Sequence, residues 1–166
     1  MMRHTHAAFL PLLVFLHPMA HASDVAATPG LTFVLVGAVA PGNLPTVSDL
    51  LDRAREIRFE LGTSNLTDSA LPFLDALAGA LSRESNVSLE IVSHTPGSGD
   101  AKKDMILSRR RAEAVKYRLV NQGVASDRLL AVGRGSEDPI APNITRTGRA
   151  RNDRVELHRS GGRPNP

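Results

Sequence analysis

The chain has no cysteine and no tryptophan. Without cysteine there is no disulfide, no thiolate nucleophile and no cysteine-ligated metal. Histidine is scarce as well. Beyond residue 22 only His94 and His158 occur, too few for a histidine-built metal cluster. The aromatics beyond that point are Phe33, Phe59, Phe73 and Tyr117. Three of them fall in apolar patterns, which leaves little for stacking on bases, so no nucleic-acid surface is expected. No apolar run is long enough to cross a bilayer, so no direct membrane insertion is expected. There is no Gly-x-Ser-x-Gly elbow, metal-ligand motif or phosphate loop. Nothing in the pattern therefore points to an enzyme, a metal or a cofactor. His94, at a strand end, reads as a structurally satisfied histidine.

What is present begins with a leader. Arg3 and two histidines precede the apolar run Ala7–Leu16, and Ala20-His21-Ala22 fits a small-x-small cleavage site. Residues 1–22 are expected to be a signal peptide, which would export the chain. No cysteine follows the run to carry a lipid. Residues 23–50 read as an N-terminal extension, with a possible extra strand at Leu31–Ala40.

Charge divides the chain. Residues 24–100 hold 4 basic and 10 acidic side chains, whereas residues 101–163 hold 15 basic and 7 acidic ones, 12 of the cations being arginine. Such a basic half attracts carboxylates or phosphates, or simply forms a solvated surface.

Hydrophobic periodicity outlines one domain over residues 51–159. A short helix is expected within Val47–Glu56. Arg55–Leu61 alternates, with Ile57, Phe59 and Leu61 on one face, as a half-buried strand does. A helix follows from Thr67–Ser69, with Pro72 in its first turn and Leu71, Leu74, Leu77, Ala78 and Leu81 at helical spacing. Val87–Val92 is a second strand. A second helix runs from about Lys103 to Asn121, with Met105, Ala112, Val115 and Leu119 as its buried stripe. Leu129–Val132 and Arg154–His158 are strands, separated by a long loop over Gly133–Arg151, and residues 160–166 read as a disordered tail. The expected fold is α+β, a βαβαββ two-layer sandwich with two helices on one face of a small mixed sheet.

The stretch Ser93–Val115 carries the candidate site. A strand end leads through Pro96, Gly97, Gly99 and Asp100 into the most basic helix. At about 100° per residue, Arg111 lies roughly 40° from Val115, at the edge of the apolar stripe. An edge arginine beside a glycine loop with free amides suits a carboxylate. The alternative is an arginine paired internally with an acid such as Asp104 or Glu113.

These residues resemble a family. His94-Thr95, Gly99, Leu107-Ser108, Arg111-Ala112 and Val115 stand without insertion in the pattern of the OmpA-like C-terminal domain, the peptidoglycan-associated module of bacterial envelopes. Gly123-Val124, Gly135-Ser136-Glu137, Pro139-Ile140, Asn143, Thr145, Gly148-Arg149-Ala150, Asn152 and Arg154-Val155-Glu156 continue the match. The resemblance implies a non-enzymatic periplasmic protein, associated with the outer membrane or cell wall, that binds the diaminopimelate of the peptidoglycan stem peptide. Arg111, Thr95, Gly99, Asp104, Ser108, Asn152 and Arg154 become its expected ligand-binding residues. The family grips with an arginine and an aspartate of opposite sign, and the aspartate position here is Pro96. The family's Asn-Arg-Arg is Asn152-Asp153-Arg154. Losing one charged partner costs about 2–5 kcal/mol of binding, so the resemblance implies weakened binding unless Asp100 or Asp104 substitutes. The alternative is a scaffold that binds other envelope proteins and has lost peptidoglycan.

Overall fold

The computed structural model describes residues 44–160. The expected signal peptide, the strand at Leu31–Ala40 and all of the expected tail but Ser160 lie outside them.

Helix α1 (Val47–Leu51) opens on a reciprocal cap, in which Thr46 Oγ1 accepts from Asp49 N and the Asp49 carboxylate accepts from Thr46 N. Its buried Val47 and Leu50 belong to the core, so the packed unit begins before residue 51. Helix α2 (Leu71–Arg83) carries Pro72 in its first turn and buries Phe73, Leu74, Leu77, Ala78 and Leu81. The two helices are tied end to end: Val47 N donates to Glu84 Oε1 at 2.7 Å and Arg83 to Pro45 O at 2.7 Å.

Strand β1 (Ser88–His94), helix α3 (Ala101–Asn121) and strand β2 (Leu129–Gly135) form a parallel crossover unit. Strand β3 (Arg154–Ser160) runs antiparallel on the other side of β1, giving the order β2-β1-β3. The register pairs Ile91 with Ala131 and with Leu157, which places Leu89, Ile91, Val155 and Leu157 on the face covered by α2 and α3. This is the expected α+β two-layer arrangement.

Helix α3 departs from a simple apolar stripe. Toward its C-terminus it buries Ala112, Val115 and Leu119, but toward its N-terminus it buries Asp104, Ser108 and Arg111, with Met105 only partly covered. Glycines of β2 allow this polar half to approach closely. A Cβ on Gly133 would stand 2.4 Å from Arg109 N, so the helix backbone rests where a side chain would be.

Two sequence expectations are corrected. Arg55–Leu61 adds no strand to the sheet. Ala54–Glu56 is a 3-10 turn, and Phe59 makes a single antiparallel bridge to Leu66. The alternation reflects a small closed loop, with Thr67 N bonded to Arg58 O and Glu60 N to Asn65 O, and Leu61 is 98% exposed. The expected loop at 133–151 contains helix α4 (Arg146–Asn152), capped by Thr145 Oγ1 accepting from Gly148 N. Its sequence RTGRARN has no apolar periodicity, so only the cap could mark it.

Candidate functional site

The end of β1 and the start of α3 are fastened by short polar bonds. Thr95 N donates to Gly135 O at 2.8 Å. Asp104, 4% exposed, accepts from Ser98 N and from Ser136 Oγ, both at 3.0 Å. Ser108 Oγ accepts from Gly135 N at 2.8 Å and donates to Met105 O at 2.9 Å. Gly99, at φ +90, makes the turn that a side chain would resist. Asp100 caps α3 through Lys103 N, and that bond holds its carboxyl below the usual range. Asp104 and Ser108 thus bind loop to helix, and Asp100 caps the helix. Thr95 is buried with its hydroxyl lacking a hydrogen-bond partner among the described residues.

Arg111 is 2% exposed. Its Nε donates to Thr63 O at 2.7 Å, its Nη1 to Asp153 Oδ1 at 2.5 Å, and its guanidinium lies 4.8 Å from the centre of the Phe59 ring. It pairs with neither Asp104 nor Glu113, and neither Asp100 nor Asp104 supplies its acid. The carboxylate comes from the residue between α4 and β3. Beside the pair, a cleft of about 40 Å³ is lined by Asp153 with Ile57, Arg58, Phe59 and Arg154. That is far below the volume of an ordinary ligand cleft.

Asn152, 1% exposed, uses its whole amide to hold the preceding loop. Its Oδ1 accepts from Ile140 N and Ala141 N, and its Nδ2 donates to Ala141 O and Asn143 Oδ1. Arg154 pairs with Glu156 at 2.7 Å and reaches Asp138 O at 3.3 Å. The structure therefore does not gather the expected ligand-binding residues around one opening. Thr95, Gly99, Asp104 and Ser108 cluster at the loop, Arg111 turns toward Asp153, and Asn152 and Arg154 serve the neighbouring loop and strand.

Sequence reasoning missed Asp153, Phe59 and Thr63 as partners of Arg111. A signal for the first was present: the family pattern expects an acid at the position of Pro96 and a base at the position of Asp153, and this chain has neither. His94 also differs from expectation. It is 4% exposed, neither ring nitrogen has a hydrogen-bond partner among the described residues, and Glu156 Oε1 stands 3.6 Å from Nε2. Burial, then the charge of Arg154, pushes its pKa down. Among the described residues no cluster of three His, Asp or Glu is placed to hold a metal, and no helix is long and apolar enough to cross a membrane.

The model of the OmpA family matches residues 58–153, more than half of the chain. Outer membrane protein A of Bordetella avium is 36% identical over 105 residues, covering 63% of this chain and 54% of that protein. The peptidoglycan-binding protein ArfA of Mycobacterium bovis is 36% identical over 101 residues, 61% of this chain and 31% of that protein. The chain thus spans about half or less of the length of these relatives. The crystal structure of the peptidoglycan-associated lipoprotein from Burkholderia pseudomallei superposes with a TM-score of 0.60 at 26% identity, covering 64% of this chain and 90% of that one.

Proposed function

The chain belongs to the OmpA family, and we propose that it serves as a non-enzymatic, peptidoglycan-facing module of the cell envelope whose stem-peptide grip is held closed by its own Asp153. Peptidoglycan association is supported by the chain's likeness to a peptidoglycan-binding protein and to a peptidoglycan-associated lipoprotein. The reading of an exported, periplasmic protein, associated with the outer membrane or wall, rests on the leader-like residues 1–22 and on the envelope proteins it resembles.

One observation carries the closed grip: Arg111, the arginine at the family's ligand position, is 2% exposed and bonded to Asp153. Asp153 competes with a ligand carboxylate for Arg111, and Pro96 offers no carboxylate to a ligand ammonium. Both effects weaken binding relative to a site with an open arginine and an aspartate. The burial of Arg111 equally favours the second reading, a scaffold for other envelope proteins in which Arg111 serves only the fold.

Co-sedimentation with purified sacculi separates the two. Weak pelleting of the wild type, enhanced in Asp153→Asn and lost in a folded Arg111→Met variant, supports a closed grip. Equal pelleting of all three contradicts it.

A further inference from the structure

A second concavity, which adjoins the Arg111–Asp153 pair at Asp153 and Arg154, runs along the outer edge of β3. Its volume is about 790 Å³, within the range of ligand-binding clefts. The strand contributes Arg154 to Arg159 to its lining, so at about 3.3 Å per residue the groove extends roughly 20 Å. Exposed Ile140 and partly buried Leu51 supply apolar surface. Strand β3 is the outermost in the order β2-β1-β3, so its outward main-chain groups face no further strand among the described residues.

The rim is cationic, and its charges are unspent. Arg55, Arg58 and Arg151 all line the groove, and none of their guanidiniums makes a hydrogen bond or ion pair among the described residues. Two of the three acids in the lining are already engaged: Asp153 by Arg111, and Glu156 by Arg154 and His158. Asp52 in the lining, and Glu56 beside Arg55, stand against the three guanidiniums.

We infer that this groove is a docking site for an extended, acidic segment of a protein partner. Three features converge on that chemistry. The length of the groove matches about six residues of extended chain rather than a compact anion. An outer strand offers main-chain donors and acceptors that favour strand-like ligands. Free arginines placed beside apolar surface select carboxylates, which they grip in pairs, over neutral side chains. None of this depends on Arg111 binding peptidoglycan.

The test uses the full chain and a fluorescein-labelled heptapeptide alternating glutamate and valine, with a lysine–valine peptide as control. Fluorescence anisotropy is expected to show saturable binding of the acidic peptide that weakens as salt rises, and no binding of the basic one. Arg55→Gln/Arg58→Gln/Arg151→Gln, whose exposed positions leave the thermal midpoint nearly unchanged, is expected to weaken the acidic peptide by about tenfold or more. Equal affinity for wild type and triple variant overturns the proposal. So does binding to phosphatidylglycerol vesicles without binding to the peptide. A self-association measured by sedimentation that the triple variant abolishes, with no peptide binding, assigns the groove to a second copy of the chain and also overturns it.

Discussion

Arg111 and Asp153, separated by 42 positions in the chain, meet through Nη1 and Oδ1 at 2.5 Å and join α3 to the connection between α4 and β3. The guanidinium is buried and the carboxylate side chain is about one-third exposed, 2% and 36% respectively. The arginine is therefore the partner that cannot be stranded. Asp153→Asn keeps an acceptor at the same place but leaves the buried guanidinium without a counter-charge, and is expected to lower unfolding free energy by about 3–5 kcal/mol. Replacing Arg111 by Met removes the buried charge itself and leaves Asp153 where water reaches it, and is expected to lose less, about 1–2 kcal/mol. Urea unfolding of both variants checks the asymmetry.

Asn152→Ala deprives two amides and one carbonyl of their partner in the 140–143 loop. The expected loss is about 2–3 kcal/mol. Hydrogen exchange should quicken at Ile140 and Ala141 before it does in β1, because the loop opens without the sheet.

Gly148 in α4 packs against Pro142. A Cβ there would lie 1.9 Å from Pro142 O, a distance no relaxation of a side chain can relieve. Gly148→Ala is expected to push α4 from the loop and reduce stability by about 1–3 kcal/mol, read as a lowered thermal midpoint.

His94 makes the fold sensitive to mild acid. Burial and Arg154 depress its native pKa, Arg134 adds to this, and Glu156 and Asp138 oppose it only in part. The unfolded chain takes up the proton near the ordinary value of about 6.5, while the folded chain does not. Below that pH the unfolded state binds more protons, so stability falls as pH drops toward the depressed native value. Thermal midpoints between about pH 7.5 and 5 should decline more steeply in the wild type than in a folded His94→Gln variant.

Helix α2 and strands β1 and β3 were legible because each presents a clean period of apolar residues, as at Phe73–Leu81 and at Leu89 and Ile91, β2 because of its apolar run Leu129–Val132, and α3 because of its C-terminal stripe of Ala112, Val115 and Leu119. The polar half of the α3 stripe was not, since Asp104, Ser108 and Arg111 are buried through bonds to distant segments that no local pattern records. The alternation at Ile57, Phe59 and Leu61 misled for a related reason. A self-closed loop and a sheet strand share a period of two, and only the pairing distinguishes them. At the site, Arg111 was identified by its neighbours in sequence, but its partners Thr63 and Asp153 lie 48 and 42 positions away.

The central claim is that Asp153 occupies the guanidinium a stem-peptide carboxylate needs, while Pro96 withholds the complementary acid. Calorimetric titration of a diaminopimelate-containing peptide into the wild type and into Pro96→Asp/Asp153→Asn tests it directly. The account predicts weak or undetectable heat for the wild type and an affinity at least about tenfold higher for the double variant. Equal affinities, or tighter binding by the wild type, would contradict it.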